Sequence, residues 1–432
     1  MHIIKKSGSV LLWLAGLALF FAAANKNDPY LIALRGMGNV ALALASIVTV
    51  AILIRCGVWR RGVGGRLLVL LWCLPSLAML SAHATYEWRK GAVLQTDAAR
   101  ARILGQHFMV GYSSFSEVAE LAEKGLIAGV YITKHNVGAT ADGLKAEISA
   151  LQEKRRNAGL PALIIAADQE GGIVSHLAPP LTRLPALATL ASLPPERRSA
   201  EAEAFGRVQG QELAGLGVTL NLAPVLDLRP AMTRNRFDFN TLIGYRAISD
   251  DPAVVTDIAR SYVRGLAASG VGAAVKHFPG LGGVRTDTHH FSANLDTPVE
   301  QLEASDWLPF RDVLTNTTAQ LMVGHVTLTA VDPDRAASHS RRVIDGIIRR
   351  KWNYQGVVMT DDLVMGAIYQ HNVCTAVVEA LNAGVDLLLV AFDGAQFYRI
   401  FTCASDAFAQ GNLDAATLRQ SEGRLKGAGR VD

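Results

Sequence analysis

Four cysteines are spread over 432 residues. That is too few for a disulfide framework, so an apolar core has to hold the fold. Cys56 and Cys73 fall in an apolar N-terminal stretch, while Cys374 and Cys403 lie far downstream, where pairing or freedom are both open. A basic surplus is missing from most of the chain. Residues 1–100 hold eleven Lys/Arg against three Asp/Glu, and the other 31 Lys/Arg face 35 Asp/Glu. The net charge of +4 therefore belongs to the N-terminal segment, and nothing basic remains to attract nucleic acid. Helical His-x-x-x-His or His-x-Glu spacing is also absent. His277, Asp287, His289, His290 and His325 are metal-ligand types without metal-site spacing, so neither a metal nor a cofactor is expected.

What is present first is hydrocarbon. Half the residues are hydrophobic, and three apolar runs open the chain: Val10–Ala24, Met37–Ile54 and Leu67–Ala82. Each approaches the roughly 20 apolar residues that cross a bilayer as a helix. Leu11–Phe21 and Ala41–Ile54 carry no charge, which argues against a buried hairpin of a soluble fold. The first run alone resembles a signal-peptide core, with Ala22–Ala24 as small residues for cleavage, but two more runs follow. Lys5 and Lys6 precede the first run, and Arg55, Arg60, Arg61 and Arg66 crowd the loop between the second and third. The loop Asn25–Gly36 carries only Lys26 and Arg35. The positive-inside rule then gives an N-terminus inside and three crossings. We expect residues 1–90 to be an all-α membrane anchor of three transmembrane helices. The remainder is expected on the extracytoplasmic, periplasmic side of the cytoplasmic membrane.

From about residue 100 short β-rich runs alternate with helical stretches. The strand candidates are His107–Tyr112, Ala128–Thr133, Ala162–Ala167, Val218–Leu222, Gly272–His277, Gln320–His325, Gly356–Thr360 and Val385–Ala391. Most are continuously apolar, as strands covered on both faces are. The helix Asp251–Gly270 shows the connecting grammar. Asp251 suits an N-cap, Pro252 the first turn, and Gly270 a left-handed end, while Val255, Ile258, Ala259, Tyr262, Val263 and Leu266 share one face. Eight such units predict an α/β fold, a TIM-like (β/α)8 barrel over residues 91–432. The alternative is an open doubly wound sheet; no Gly-rich phosphate fingerprint follows the first strand, which weakens its dinucleotide-binding form.

In a barrel the C-terminal ends of the strands carry the chemistry. Asp168, Lys276, His277, His325 and Asp361 all end apolar strands. The stretch AVKHFPGLGGVRTDTHH, 274–290, packs three histidines, three glycines and three other charged residues into one strand end and loop. Asp287 lies two residues before His289; a carboxylate bonded to one ring nitrogen fixes the tautomer and raises the basicity of the other. In MTDDLVMG, Asp361 suits a nucleophile or base, and Asp362 suits a helix cap. Asp168 and Glu170, before Gly171-Gly172, suit a grip on hydroxyls or a plain solvated turn. Arg246 suits a substrate contact or a pair with Asp250.

The blocks DQEGG, LNLAPVLDL, IGYR, KHFPG, DTH, MTDDLVMGA and NAGVDLLLV, in this order and spacing, resemble the catalytic barrel of glycoside hydrolase family 3. They are most similar to its bacterial β-N-acetylglucosaminidase (β-N-acetylhexosaminidase) branch. The resemblance covers about residues 100–430. It implies a retaining exo-β-N-acetylglucosaminidase acting on terminal N-acetylglucosamine of carbohydrate substrates, cell-wall fragments among them. By that resemblance Asp361 is the nucleophile, His289 the general acid/base and Asp287 its partner. Asp168, Arg246, Lys276 and His277 grip the sugar. Ile173 and His176 stand where the branch carries arginines, and Leu281 where it carries histidine. His176 is thus a substrate-binding position with altered chemistry. A β-glucosidase-like specificity and a non-catalytic glycan-binding barrel are the alternatives these departures raise.

Overall fold

A computed structural model describes residues 2–26, 31, 37–137, 140–231, 241–369 and 372–428. The chain divides into two compact units, Met1–Val93 and Leu94–Asp432.

The first unit is helical: α1 (His2–Ala24), α2 (Met37–Arg55) and α3 (Val63–Leu94). Two of these, through Gly38–Arg55 and Val63–Leu94, are long and apolar enough to cross a membrane. Three crossings were expected. The apolar part of α1, Ser9–Ala24, is a shorter helix and does not meet that length. Most of the 25–36 loop used in the orientation reading lies outside the described residues. The helices exchange polar contacts where few polar groups exist. Ser46 Oγ donates to the Trp72 carbonyl at 2.5 Å, in the turn before Pro75, and Trp72 Nε1 donates to the Leu12 carbonyl at 3.1 Å. Proline disturbs helix bonding, and in apolar surroundings a neighbouring hydroxyl is the available partner. The outward faces stay apolar: Leu44, Ile47, Ile52, Leu70, Leu77 and Leu80 are each more than half exposed.

The second unit is a closed barrel of eight parallel strands. They are β1 (Phe108–Gly111), β2 (Gly129–Ile132), β3 (Ile164–Ala167), β4 (Leu220–Asn221), β5 (Gly272–Phe278), β6 (Gln320–Val323), β7 (Val358–Asp362) and β8 (Leu387–Val390). Each pairs with its sequence neighbour, and β8 closes on β1 through Phe108 opposite Leu388. All eight fall within the runs predicted from sequence or extend them by one or two residues. Helix Pro252–Ala267 starts as its sequence dictates, with the Asp251 carboxylate accepting the Ala253 N–H at 2.8 Å, and Gly270 follows at φ 72°. The same six residues of its apolar face are buried.

Alternation along the strands fills the lumen. Met109, Tyr131, Ala166, Leu220, Leu222, Ala274, Met322, Met359, Leu387 and Leu389 form one buried cluster drawn from every strand. Two residues beyond Ala166, Ala274 and Met359 come Asp168, Lys276 and Asp361. A period of two keeps them on the same side of their strands, so they form the polar layer above the apolar plug.

Candidate active site

The polar layer is a connected network. The Lys276 ammonium, 2 % exposed, donates to Asp168 and, at 2.7 Å, to Glu170. Arg246 embraces Glu170 with two donors, Nε at 3.0 Å and Nη2 at 2.6 Å. The guanidinium fork matches the planar carboxylate, which makes this a directional pair. Arg246 Nη2 also lies 3.3 Å from His277 Nε2, and His277 Nδ1 donates to Asp227 at 2.6 Å. With its Nδ1 proton on Asp227, His277 offers Nε2 as an acceptor. On the other flank the Tyr131 hydroxyl donates to Asp168 at 2.5 Å and stands 3.2 Å from His176 Nδ1.

Charge explains the protonation states. Burial pushes the Asp168 and Glu170 carboxyls up, but the cations beside them outweigh it, and both lie below their ordinary values. Burial lowers Lys276, but Asp168 and Glu170 more than restore it. The network is a set of fixed charges holding donors and acceptors at the mouth of the barrel.

Lys276 and His277 are adjacent yet join one network, because the register of β5 against β6 shifts between Val275 and Phe278. Such irregularities re-aim side chains at barrel rims. Gly171 and Gly172, at φ 94° and 65°, make the tight turn that brings His176 back past Asp168, its N–H on the Asp168 carbonyl at 3.0 Å.

At the end of β7 the two aspartates divide. Asp362 accepts backbone N–H groups from Val364, Ala391 and Phe392 at 3.1, 2.9 and 2.8 Å, which makes it structural. Burial still lifts its carboxyl to about 6. Asp361 accepts one backbone N–H, from Asp362, and its residue stays partly open. Burial would raise it, but the fields of His277, His325 and His289 hold it below its ordinary value. His325 fixes this strand end from below: Nε2 donates to the Asp362 carbonyl at 2.9 Å and Nδ1 faces Ser338 Oγ at 2.8 Å. Burial lowers its pKa, consistent with this neutral tautomer.

Across the opening, Asp287 Oδ1 accepts His289 Nδ1, the His289 backbone N–H and the Thr241 hydroxyl, each at 2.9 Å. These donors outweigh burial and keep the carboxyl below its ordinary value. The proton on Nδ1 leaves Nε2 as the exchanging nitrogen of a side chain 38 % exposed. The dyad loop is pinned beside β7: the Gly366 and Ala367 N–H groups donate to the His289 and Thr288 carbonyls at 2.8 and 3.4 Å. A Cβ at residue 366 would sit 2.5 Å from the His290 carbonyl oxygen, so only glycine permits this approach. Among the described residues no group of three or more His, Cys, Asp or Glu is arranged to hold a metal ion.

The model of the glycosyl hydrolase family 3 N-terminal domain matches residues 101–427. The chain belongs to glycosyl hydrolase family 3. It is 34 % identical over 268 residues to a beta-hexosaminidase of Xanthomonas oryzae pv. oryzae, 61 % of this chain and 76 % of that protein. A beta-hexosaminidase of Xylella fastidiosa is 35 % identical over a stretch of the same length. Among solved structures, a family 3 beta-N-acetylglucosaminidase of a Paenibacillus species superposes with a TM-score of 0.70 at 29 % identity. That match covers 76 % of this chain, which spans only 61 % of the Paenibacillus chain. A Beta-N-acetylhexosaminidase of Beutenbergia cavernae superposes with a TM-score of 0.68 at 26 % identity, covering 98 % of that chain.

This family 3 barrel gathers Asp168, His176, Arg246, Lys276, His277, Asp287, His289 and Asp361 at one end. Arg246 pairs with Glu170 rather than with Asp250. Sequence reasoning left Tyr131, Asp227 and Thr241 without roles. Tyr131 sits on the lumen side of β2, a readable signal; Asp227 and Thr241 meet partners 50 and 46 residues away, and no local pattern announces them.

Proposed function

We propose that this glycoside hydrolase is a retaining exo-β-N-acetylglucosaminidase. The carrying observation is the pairing of two groups at one barrel end: an open, ionised Asp361 and a His289 whose tautomer Asp287 sets. Asp168, Arg246, Lys276 and His277 hold the terminal N-acetylglucosamine, and His176 borders it beside Tyr131. The Nε2 proton of His289 goes to the leaving oxygen as an Asp361 oxygen bonds to the anomeric carbon. Water, deprotonated by His289, then breaks that ester, and two displacements retain configuration. A histidine on a loop replaces the second carboxylate that most glycosidases use. Similarity to proteins named beta-hexosaminidase and beta-N-acetylglucosaminidase supports this specificity, and cell-wall fragments are the natural substrate class we infer.

We also assign residues 1–90 as a membrane anchor and residues 91–432 as the catalytic domain on the periplasmic side. The exposed apolar flanks of α2 and α3 suit a lipid environment. The Cys374–Cys403 disulfide suits an oxidising compartment. Release of 4-nitrophenol from its β-N-acetylglucosaminide tests the activity. Asp361→Ala is expected to lower kcat at least about 1,000-fold, in line with loss of a covalent nucleophile; equal rates would end this reading.

A further inference from the structure

We propose that Thr241 is a positioning residue that couples the sugar grip to the acid/base dyad. The inference rests on the function proposed above. Among the described residues three hydrogen bonds reach Asp287 Oδ1, and two of them come from His289 itself, on the same loop. The third comes from the Thr241 hydroxyl, on the loop that follows β4. A carboxylate only accepts, so the single hydroxyl proton of Thr241 goes to Asp287. The Nδ1 proton of His289 points to the same oxygen, with Thr241 Oγ1 3.4 Å from that nitrogen. Thr241 is held in turn by Arg246, whose Nη1 donates to the Thr241 carbonyl at 2.9 Å. Arg246 is the residue clamped on Glu170 in the sugar-binding network.

One residue therefore touches both halves of the site, through its carbonyl on one side and its hydroxyl on the other. Thr241 and Asp287 are 6 % and 1 % exposed, so water has little access to replace the hydroxyl. Without it, Asp287 loses a bond that comes from outside its own loop. The dyad then loses its tie to the element that orients the sugar, and His289 Nε2 loses its fixed aim at the leaving oxygen.

The test uses the full-length protein with two aryl β-N-acetylglucosaminides, one with a phenol leaving group and one with 2,4-dinitrophenol. Thr241→Val removes the hydroxyl and keeps the shape. On the phenyl substrate kcat should fall about 10- to 100-fold with KM within about threefold, the scale for losing a residue that orients a reacting one. On the dinitrophenyl substrate kcat/KM should stay within about threefold of wild type, because that leaving group departs without a proton. Thr241→Ser should recover most of the phenyl activity. Wild-type rates for Thr241→Val, an equal loss on both substrates, a loss in KM alone, or failure of serine to rescue would each overturn the proposal. If Thr241→Val does not fold, Thr241→Ala is read the same way, and unfolding of both overturns the positioning role. An inactive wild type would instead sink the proposed function, so the two failures are distinguishable.

Discussion

Lys276 has two carboxylates and Arg246 has one, all inside a region where water is scarce, so the site's stability is electrostatic. Asp168 and Glu170 both lie below their ordinary pKa values. A depressed carboxyl stabilises the fold fully above its unfolded value, near pH 4, and that contribution is lost as pH falls through the folded value. The urea midpoint should therefore owe no change to this pair between about pH 8 and 5 and should drop below about pH 4. Glu170→Gln leaves Arg246 without its bidentate partner and should cost about 3 kcal/mol at pH 7, the scale for breaking a buried pair. A midpoint independent of pH down to 3, or a neutral Glu170→Gln, would contradict this. The same residues show what a sequence conveys about a site. Asp168, Lys276 and Asp361 were legible because apolar strands run into them and alternation aims them inward. Glu170 with Arg246, Asp227 with His277 and Thr241 with Asp287 were not, since those partnerships form only when the barrel closes.

Among the elements, the strands and the helix Pro252–Ala267 were written locally, in apolar runs, a capping aspartate and a terminal glycine, and the structure follows them. Two of the three expected crossings, α2 and α3, are long and apolar enough over their described residues, while the described apolar part of α1, Ser9–Ala24, is shorter. Placement of the dyad loop depends on the turn after β7, and there a glycine decides. Gly366→Ala would push a Cβ against the His290 carbonyl, now at 2.5 Å, and shift the loop that carries His289. Displacement of a reacting group by about 1 Å can cost about 100-fold in rate. We expect Gly366→Ala to lower kcat substantially while inhibition by free N-acetylglucosamine changes little, because Asp168, Arg246, Lys276 and His277 are untouched. Unchanged kcat, or a matching loss of sugar affinity, would show that the turn does not set the loop.

For the molecule as a whole, a helical unit with exposed apolar faces is joined to an acidic barrel that carries a disulfide. In cells we expect the protein in the membrane fraction, retained through an alkaline carbonate wash and released by detergent, with Cys374 and Cys403 resistant to thiol labelling until reduced. Recovery in the soluble fraction, or labelling without reduction, would overturn the anchor or the compartment. The account turns most on which atom bonds to the sugar. A 5-fluoro N-acetylglucosaminyl fluoride should inactivate the enzyme with one sugar per chain. Peptide mapping by mass spectrometry should then find that sugar on Asp361. Inactivation with the label elsewhere, or turnover with no covalent species, would contradict the mechanism.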